Sequence, residues 1–529
     1  MSAMYDAIIV GGGHNGLTCA AYLARAGRKV LVLERRHVLG GAAVSESLYP
    51  GFTYTVCSYV VSLLRPWIIR DLELAKHGLQ IVPLEASFTP YPDGRSLVRW
   101  PDAARTRAEI AAFSPRDADL YPEFGKAMGQ LARFAKAIID NPAPDPASIR
   151  PADLMQMLGL GKRFRGLGND LAELQYKLTT MSAVDFLREW FESDELIAPM
   201  SVSGIIGTFL GVKSPGTAYV LLHHYMGEID GASRAWGFAK GGNGAVSEAI
   251  ASSARSHGAE IRVSAGVERI LVENGRATGV VLENGDEITA KTVVSGCEPR
   301  LTFLGMVGES HLPDDFVTSL KRYKLRGSSA KVNLSLDGFP EFSSRPGIGP
   351  HVQGDVAICP GTDYLERAYD QAKYGEHSSR PYINAVFPTL FDPSMAPPGK
   401  HVLSCFVQYA PYERTGGAET WPEHRDKLGD DVIDTLKEYM PDIDQRILHR
   451  QVLTPWDLEQ EFGLTEGNIF HGELSLEQLL FQRPTSGWAR YATPVKNLWL
   501  CGSGAHPGGG VMAAPGALAA LRMLEKRAV

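Results

Sequence analysis

The sequence predicts an α/β protein in which an N-terminal parallel-sheet unit is interleaved with a second, α+β domain. Three observations lead there. At 529 residues the chain is too long for one ordinary core. Ala7-Ile8-Ile9-Val10, Leu17 to Ala26 and Val30-Leu31-Val32-Leu33 read as strand, helix and strand, the helix stopped by Gly27. A further apolar strand, Asn497-Leu498-Trp499-Leu500-Cys501, lies at the far end and leads into a glycine loop and an Ala/Leu helix from about Pro515. The C-terminus is therefore placed to return to the first unit.

Composition narrows the class. With 44% hydrophobic and 21% charged residues the chain is globular. A formal net charge of -7 without a dense Lys/Arg run argues against a nucleic-acid partner. The cysteines Cys19, Cys57, Cys297, Cys359, Cys405 and Cys501 include no Cys-x-x-Cys pair, so no disulfide framework, zinc site or redox dithiol is signalled. The N-terminus lacks the basic region and cleavage site of a signal peptide, and no apolar run approaches the ~18 residues that span a bilayer. A reducing, cytoplasmic setting is expected, with peripheral membrane contact and a homodimer both compatible with the sequence.

The first strand runs straight into Gly11-Gly12-Gly13-His14-Asn15-Gly16, which has the spacing Gly-x-Gly-x-x-Gly. Gly11 permits the tight turn, Gly13 lets backbone approach a pyrophosphate, and Gly16 lets helix and strand pack closely. The helix N-terminus offers free N–H groups and a positive dipole end to phosphates. Glu34, closing the second strand, is placed to accept hydrogen bonds from a ribose hydroxyl, and its charge disfavours a 2′-phosphate. The unit thus reads as a dinucleotide site, with FAD and NAD both open.

Two segments favour FAD. Arg35-Arg36-His37-Val38-Leu39-Gly40-Gly41-Ala42-Ala43 puts a glycine doublet just past the ribose-binding acid, where backbone could pass close to a long extended cofactor. Gly502-Ser503-Gly504-Ala505-His506-Pro507-Gly508-Gly509-Gly510-Val511 could return to cover its far end. These two segments resemble the bacterial-type phytoene desaturases and carotenoid isomerases of the amine-oxidase-like flavoprotein superfamily. Together with Ser214-Pro215-Gly216-Thr217-Ala218-Tyr219 and the run from Ala396 to Ser404, they are most similar to the branch labelled pyridine nucleotide-disulfide oxidoreductase domain-containing proteins.

The resemblance implies a Rossmann-like FAD-binding domain of the GR2/amine oxidase type, formed by residues 1–80, 231–300 and 485–529. It implies a substrate domain from residues 81–230 and 301–484. It assigns FAD to Gly11, Gly13, His14, Asn15, Gly16, Glu34, Arg35, Gly40, Gly41 and Ala42 at the N-terminal end. At the other end it assigns Gly502, Gly510, Val511 and Met512, with the backbone of Val267 against the adenine. Val267 sits in a run of short strands with hairpin signals at Asn274-Gly275 and Asn284-Gly285. The chain departs from the carotenoid enzymes at Gly296-Cys297-Glu298-Pro299, where they have Asn-Ala-Asp-Pro, and at Met512-Ala513-Ala514, which separate Val511 from Pro515-Gly516.

In the middle of the chain, Ser203 to Tyr225 reads either as a pocket lining or as buried core, and Tyr59 to Ile69 as core or as a lipid-facing stretch. Asn141-Pro142-Ala143-Pro144-Asp145-Pro146 reads as an exposed loop. Adjacent His223 and His224 have no partner at ligand spacing, so no metal is assigned. His506 is the titratable residue placed nearest the flavin, as acid or base or else as a histidine that holds its own loop. The activity expected is oxidation of a C–C or C–N bond of an apolar small molecule by hydride transfer to flavin, with dioxygen or a quinone as acceptor. A redox-neutral polyene isomerase and an FAD-containing partner-binding module are the alternatives. Lys240-Gly241-Gly242-Asn243-Gly244 lacks the spacing of a second nucleotide motif, so no NADH-docking domain is expected.

Overall fold

The computed structural model describes residues 4–229 and 231–525. A five-stranded parallel sheet runs in the order Glu260–Arg262, Val30–Leu33, Ala7–Val10, Val293–Ser295, Leu498–Leu500. Its inner strands are aliphatic apart from Ser295 because helices and loops cover both faces, and they are buried throughout. The helix His14–Arg25 packs against the helices Gly244–Ser256 and Ala514–Glu525, which brings the two chain ends together. The expected strands and both terminal helices are therefore present, the first helix starting at His14.

The antiparallel run Val267–Glu273, Arg276–Leu282, Glu287–Thr289 lies beside this sheet. Its first turn has positive φ at both Asn274 (50°) and Gly275 (72°), the hairpin geometry that an Asn-Gly pair favours.

A second, seven-stranded sheet is ordered Ile447–Leu453, Ser329–Leu336, His401–Gln408, Tyr382–Val386, Gly354–Ile358, Ala86–Pro90, Ser96–Arg99. It is antiparallel except where Gly354–Ile358 runs alongside Ala86–Pro90. In Ser329–Leu336 all eight residues are buried, yet the sequence alternates. Ala330, Val332, Leu334 and Leu336 enter one apolar core, and Ser329, Lys331, Asn333 and Ser335 point to the other face. Helices between Ala103 and His224 complete this half of the molecule.

Two expectations change or resolve. The Pro-rich segment is anchored rather than loose: Ala143 and Pro144 are buried, and the Ala143 carbonyl accepts from Arg490 Nε at 2.9 Å. Tyr59, Val61, Leu63 and Leu64 are core residues, with Val60, Trp67 and Ile69 partly buried against the same core, so the stretch packs as core. His223 and His224 end the helix Thr217–His224, both buried, and no metal-binding cluster occurs among the described residues.

Candidate active site

The glycine loop divides into packing positions and an open one. A Cβ on Gly16 would fall 2.2 Å from the Gly11 carbonyl oxygen, so helix and strand touch there and admit no side chain. A Cβ on Gly13 would meet only the Gly40 carbonyl, at 3.9 Å. The space above Gly13 is thus free for a ligand. The doublet is docked beside it, with the Gly40 N–H donating to the Gly12 carbonyl at 3.0 Å. No side chain caps the helix that begins at His14, and its first turn carries no acid, which leaves its N–H groups available to an anion.

Glu34 lies at the end of its strand and is nearly buried. Its Oε2 accepts from the Gly12 N–H at 2.7 Å and its Oε1 from the Arg36 N–H at 2.9 Å. The Ala265 N–H donates to the Glu34 carbonyl at 2.8 Å, bringing the segment before Val267 alongside. Val267 itself is half-buried and paired with Leu282. Arg35 turns outward, donating to the carbonyls of Gln460 and Glu461. Gly502 packs on the Gly296 backbone, and the Met512 carbonyl accepts from the Arg65 N–H at 3.2 Å.

Several buried polar atoms around this groove have no protein partner: Nε2 of His14, Oδ1 of Asn15 and Nη1 of Arg36. Buried polar atoms are normally satisfied, so orphans beside an uncapped helix start and an open glycine fit a polar ligand laid along the groove. A dinucleotide has the phosphates, hydroxyls and length that this donor set requires.

The groove leads into a cavity of about 140 Å³. Its wall is largely apolar, from Tyr59, Leu63, Ile206, Trp236, Phe406 and Phe470, and Ala42, Gly510 and Val511 border it. Phe470 is wedged against the C-terminal loop: a Cβ on Gly509 would lie 2.1 Å from its ring, and one on Gly207 2.0 Å. Arg483 fixes this wall. It is fully buried and donates to the carbonyls of Phe470, Gly472, Glu473, Gln478 and Ser503, spending its guanidinium on two loops at once. Val511 (φ 53°) and Ala513 (φ 62°) hold left-handed backbone that side-chain-bearing residues rarely adopt, so the loop is strained where it meets the cavity.

Lys331 is the polar residue of this wall that the sequence reading missed. Its side chain extends from the polar face of Ser329–Leu336, its Nζ donates to Ser404 Oγ, and Ser404 Oγ donates to Asn333 Oδ1 at 2.8 Å. Among the described residues no carboxylate pairs with it, and burial pushes the amine down to about 7. The Tyr59 ring beside it is stacked on Phe406 at 6.0 Å and tied to Asn384 Oδ1 by its hydroxyl at 2.6 Å. The missed signal was the alternation itself, which puts a lysine on a buried strand face. His14 and His224 also line the cavity, each held by burial at about 4 and so neutral at physiological pH.

His506 is not on the cavity wall, which corrects its reading as acid or base. Its ring is fully buried behind the loop, with Nε2 directed at the carbonyls of Asn141 (3.1 Å) and Ile138 (3.3 Å). It ties the C-terminal loop to the Pro-rich segment, and burial holds its pKa at about 4.

Comparison with known proteins agrees with this geometry. The chain is 41% identical to pyridine nucleotide-disulfide oxidoreductase domain-containing protein 2 of Rattus norvegicus, over 98% of this chain and 92% of the relative. It is 28% identical to a limonene dehydrogenase polypeptide of Castellaniella defragrans, over 95% and 91%. It is 26% identical to the lycopene-forming phytoene desaturase of Pseudescherichia vulneris, over 98% of each. Residues 16–520 match the family described as flavin containing amine oxidoreductase. With an open dinucleotide groove that ends in an apolar cavity, the chain belongs to the flavin containing amine oxidoreductases and is an FAD-dependent oxidoreductase.

Proposed function

We propose that this protein oxidises a C–C bond of an apolar small molecule held in the cavity beside Lys331, with dioxygen or a quinone as the final acceptor. The observation that carries the reading is the cavity itself: aromatic and aliphatic walls, a single amine poised near neutrality and, among the described residues that line it, no carboxylate to pair a cationic substrate. A C–N bond of an amine is the less favoured choice for that reason. Names that include limonene and phytoene among the relatives point to the same substrate class.

Bound FAD would supply a ring that accepts a hydride. Gly11, Gly13, Gly16, Glu34, Gly40 and Gly41 would hold its adenosine and pyrophosphate end. His14, Asn15 and Ala42 would lie along its length, and Gly510, Val511 and Met512 would border the ring. Tyr59, Phe406 and Phe470 orient the substrate and keep water out. Lys331, uncharged above about pH 7, takes a proton from the substrate or a bridging water, and Ser404 fixes the direction of its lone pair.

We also propose the division into a cofactor unit (1–80, 231–300, 485–529) and a substrate unit (81–230, 301–484). The parallel sheet draws its strands from the first set of segments and the seven-stranded sheet from the second, which supports these bounds.

Anaerobic mixing of the FAD-loaded protein with monoterpenes, polyenes and apolar amines, followed at the flavin band, tests the reading. Bleaching by the hydrocarbons is expected. Bleaching by amines alone would replace C–C with C–N oxidation.

A further inference from the structure

We propose that the helix Pro151–Arg165 and the residue pair before it form a surface that docks on an anionic lipid bilayer. The proposal goes beyond the reaction above and stands whichever bond is oxidised.

This helix is exposed in an unusual way. Ile149 is 89% exposed, Met155 72% and Leu158 73%, and Leu154 and Phe164 are exposed as well. Scattered surface apolar residues need no explanation, but these fall within one helix and the residue pair before it. Its inward contacts are few: Asp153 pairs with Arg490, Gln156 Oε1 accepts from the same guanidinium, and the Phe164 ring leans on Phe134 at 5.9 Å. A Cβ on Gly159 or Gly161 would meet nothing within 4 Å, so the outer side is unpartnered.

The face is ordered along its length. Leu154, Leu158, Gly161 and Arg165 fall on one side at helical spacing, with Met155 and Lys162 flanking them. The first turns therefore present hydrocarbon, and the last carries the cations Lys162 and Arg165 on this side and Arg163 on the other. None of these three forms an ion pair among the described residues. Asp153 is the one carboxylate between Ile149 and Arg165, and it is already neutralised by Arg490.

Charge chooses the occupant. In a chain of net charge -7, this local excess of positive charge beside exposed hydrocarbon is the pattern of an interfacial helix on anionic headgroups. A parallel pairing of two copies through this face would bring the cations of both together, and an antiparallel one would set each cationic turn on the other's hydrocarbon. No helix among the described residues is long and apolar enough to cross a membrane, so the contact is one of surface insertion.

The test is co-sedimentation of the FAD-loaded protein with vesicles of phosphatidylcholine alone and of phosphatidylcholine with phosphatidylglycerol. Binding at least tenfold stronger to the phosphatidylglycerol vesicles is expected, weakening as salt rises. The double variant Met155→Asp with Leu158→Asp should lose at least tenfold while keeping its melting temperature and FAD content, because both side chains face solvent. Lys162→Gln, Arg163→Gln and Arg165→Gln together should lose about 100-fold, at roughly fivefold per charge. Equal or absent binding to the two vesicles, or binding unchanged in both variants, would overturn the proposal. So would a dimer that the aspartate variant dissociates in a protein that binds no vesicle. Flavin reduction measured on the same samples keeps failure here distinct from failure of the proposed reaction.

Discussion

Lys331 Nζ lies 4.8 Å from the centre of the Tyr59 ring, on the wall of a cavity otherwise lined mainly by hydrocarbon. A lysine buried without a carboxylate is costly to protonate, and that cost has a readable pH signature.

In the folded chain burial lowers the amine of Lys331 to about 7, whereas the unfolded side chain titrates at about 10.4. Between these values the unfolded state binds the extra proton, so stability rises with pH from about 7 to about 10; below 7 the full cost of the buried charge is felt. Lys331→Met should be more stable than the parent at pH 6, on the order of a few kcal/mol, with the difference shrinking toward pH 10. Urea melts at pH 6 and pH 9.5 measure this, and a variant less stable at pH 6 would show that the amine is paired after all.

The same substitution should remove the rising limb near pH 7 from the pH profile of substrate-driven flavin reduction and lower the rate by about 100-fold or more. Retention of the limb would assign the titration to another group.

Gly13 and Gly16 should separate binding from folding. Gly16→Ala forces a carbon to within 2.2 Å of the Gly11 carbonyl and should lower the melting temperature of the apo-protein. Gly13→Ala meets nothing closer than 3.9 Å and should leave the apo melting temperature nearly unchanged while weakening FAD binding. Calorimetry of the apo-proteins, with FAD titrations beside it, checks both; equal effects of the two substitutions would contradict the assignment.

Glu34→Ala should cost FAD affinity tenfold or more, since each charge-assisted ribose hydrogen bond is worth on the order of 1.5–3 kcal/mol. The variant also frees the Gly12 N–H, which Glu34 holds at 2.7 Å. Fluorescence titration of apo-protein should show the loss, and an undiminished affinity would move the ribose elsewhere.

The N-terminal unit was legible because its information is local: strand, three glycines, helix and acid follow one another within Ala7 to Glu34. The C-terminal loop was legible for the same reason, as strand, glycines and helix in series. The substrate side was not. Lys331 and Phe406 meet by strand pairing and Tyr59 joins them from a loop far earlier in the chain, and no short window of sequence says which face of Ser329–Leu336 borders a cavity. His506 shows the limit of proximity along the chain. It lies in the right loop, but its ring points into the carbonyls of Ile138 and Asn141, and a rotamer cannot be read from spacing.

NADH and NADPH should be poor direct reductants of the flavin. The strand before Gly241-Gly242-Asn243-Gly244 is Gly237–Ala239, which pairs antiparallel with Ile81–Pro83 outside the parallel sheet. No second strand-glycine-helix unit of the dinucleotide type is formed there. Anaerobic stopped-flow mixing with either nicotinamide should leave the flavin band intact over the turnover time; rapid bleaching would make a nicotinamide-dependent reductase the better reading.

The crystal structure of the FAD-loaded protein tests the central claim most directly, because groove and cavity are assigned to a single extended cofactor. The pyrophosphate is expected over Gly13 and the start of the His14–Arg25 helix, with the flavin ring bordered by Gly510 and Val511 and its edge open to the cavity of Lys331 and Tyr59. A ring lying outside that cavity, or a nucleotide bound away from Gly11–Gly16, would contradict the account.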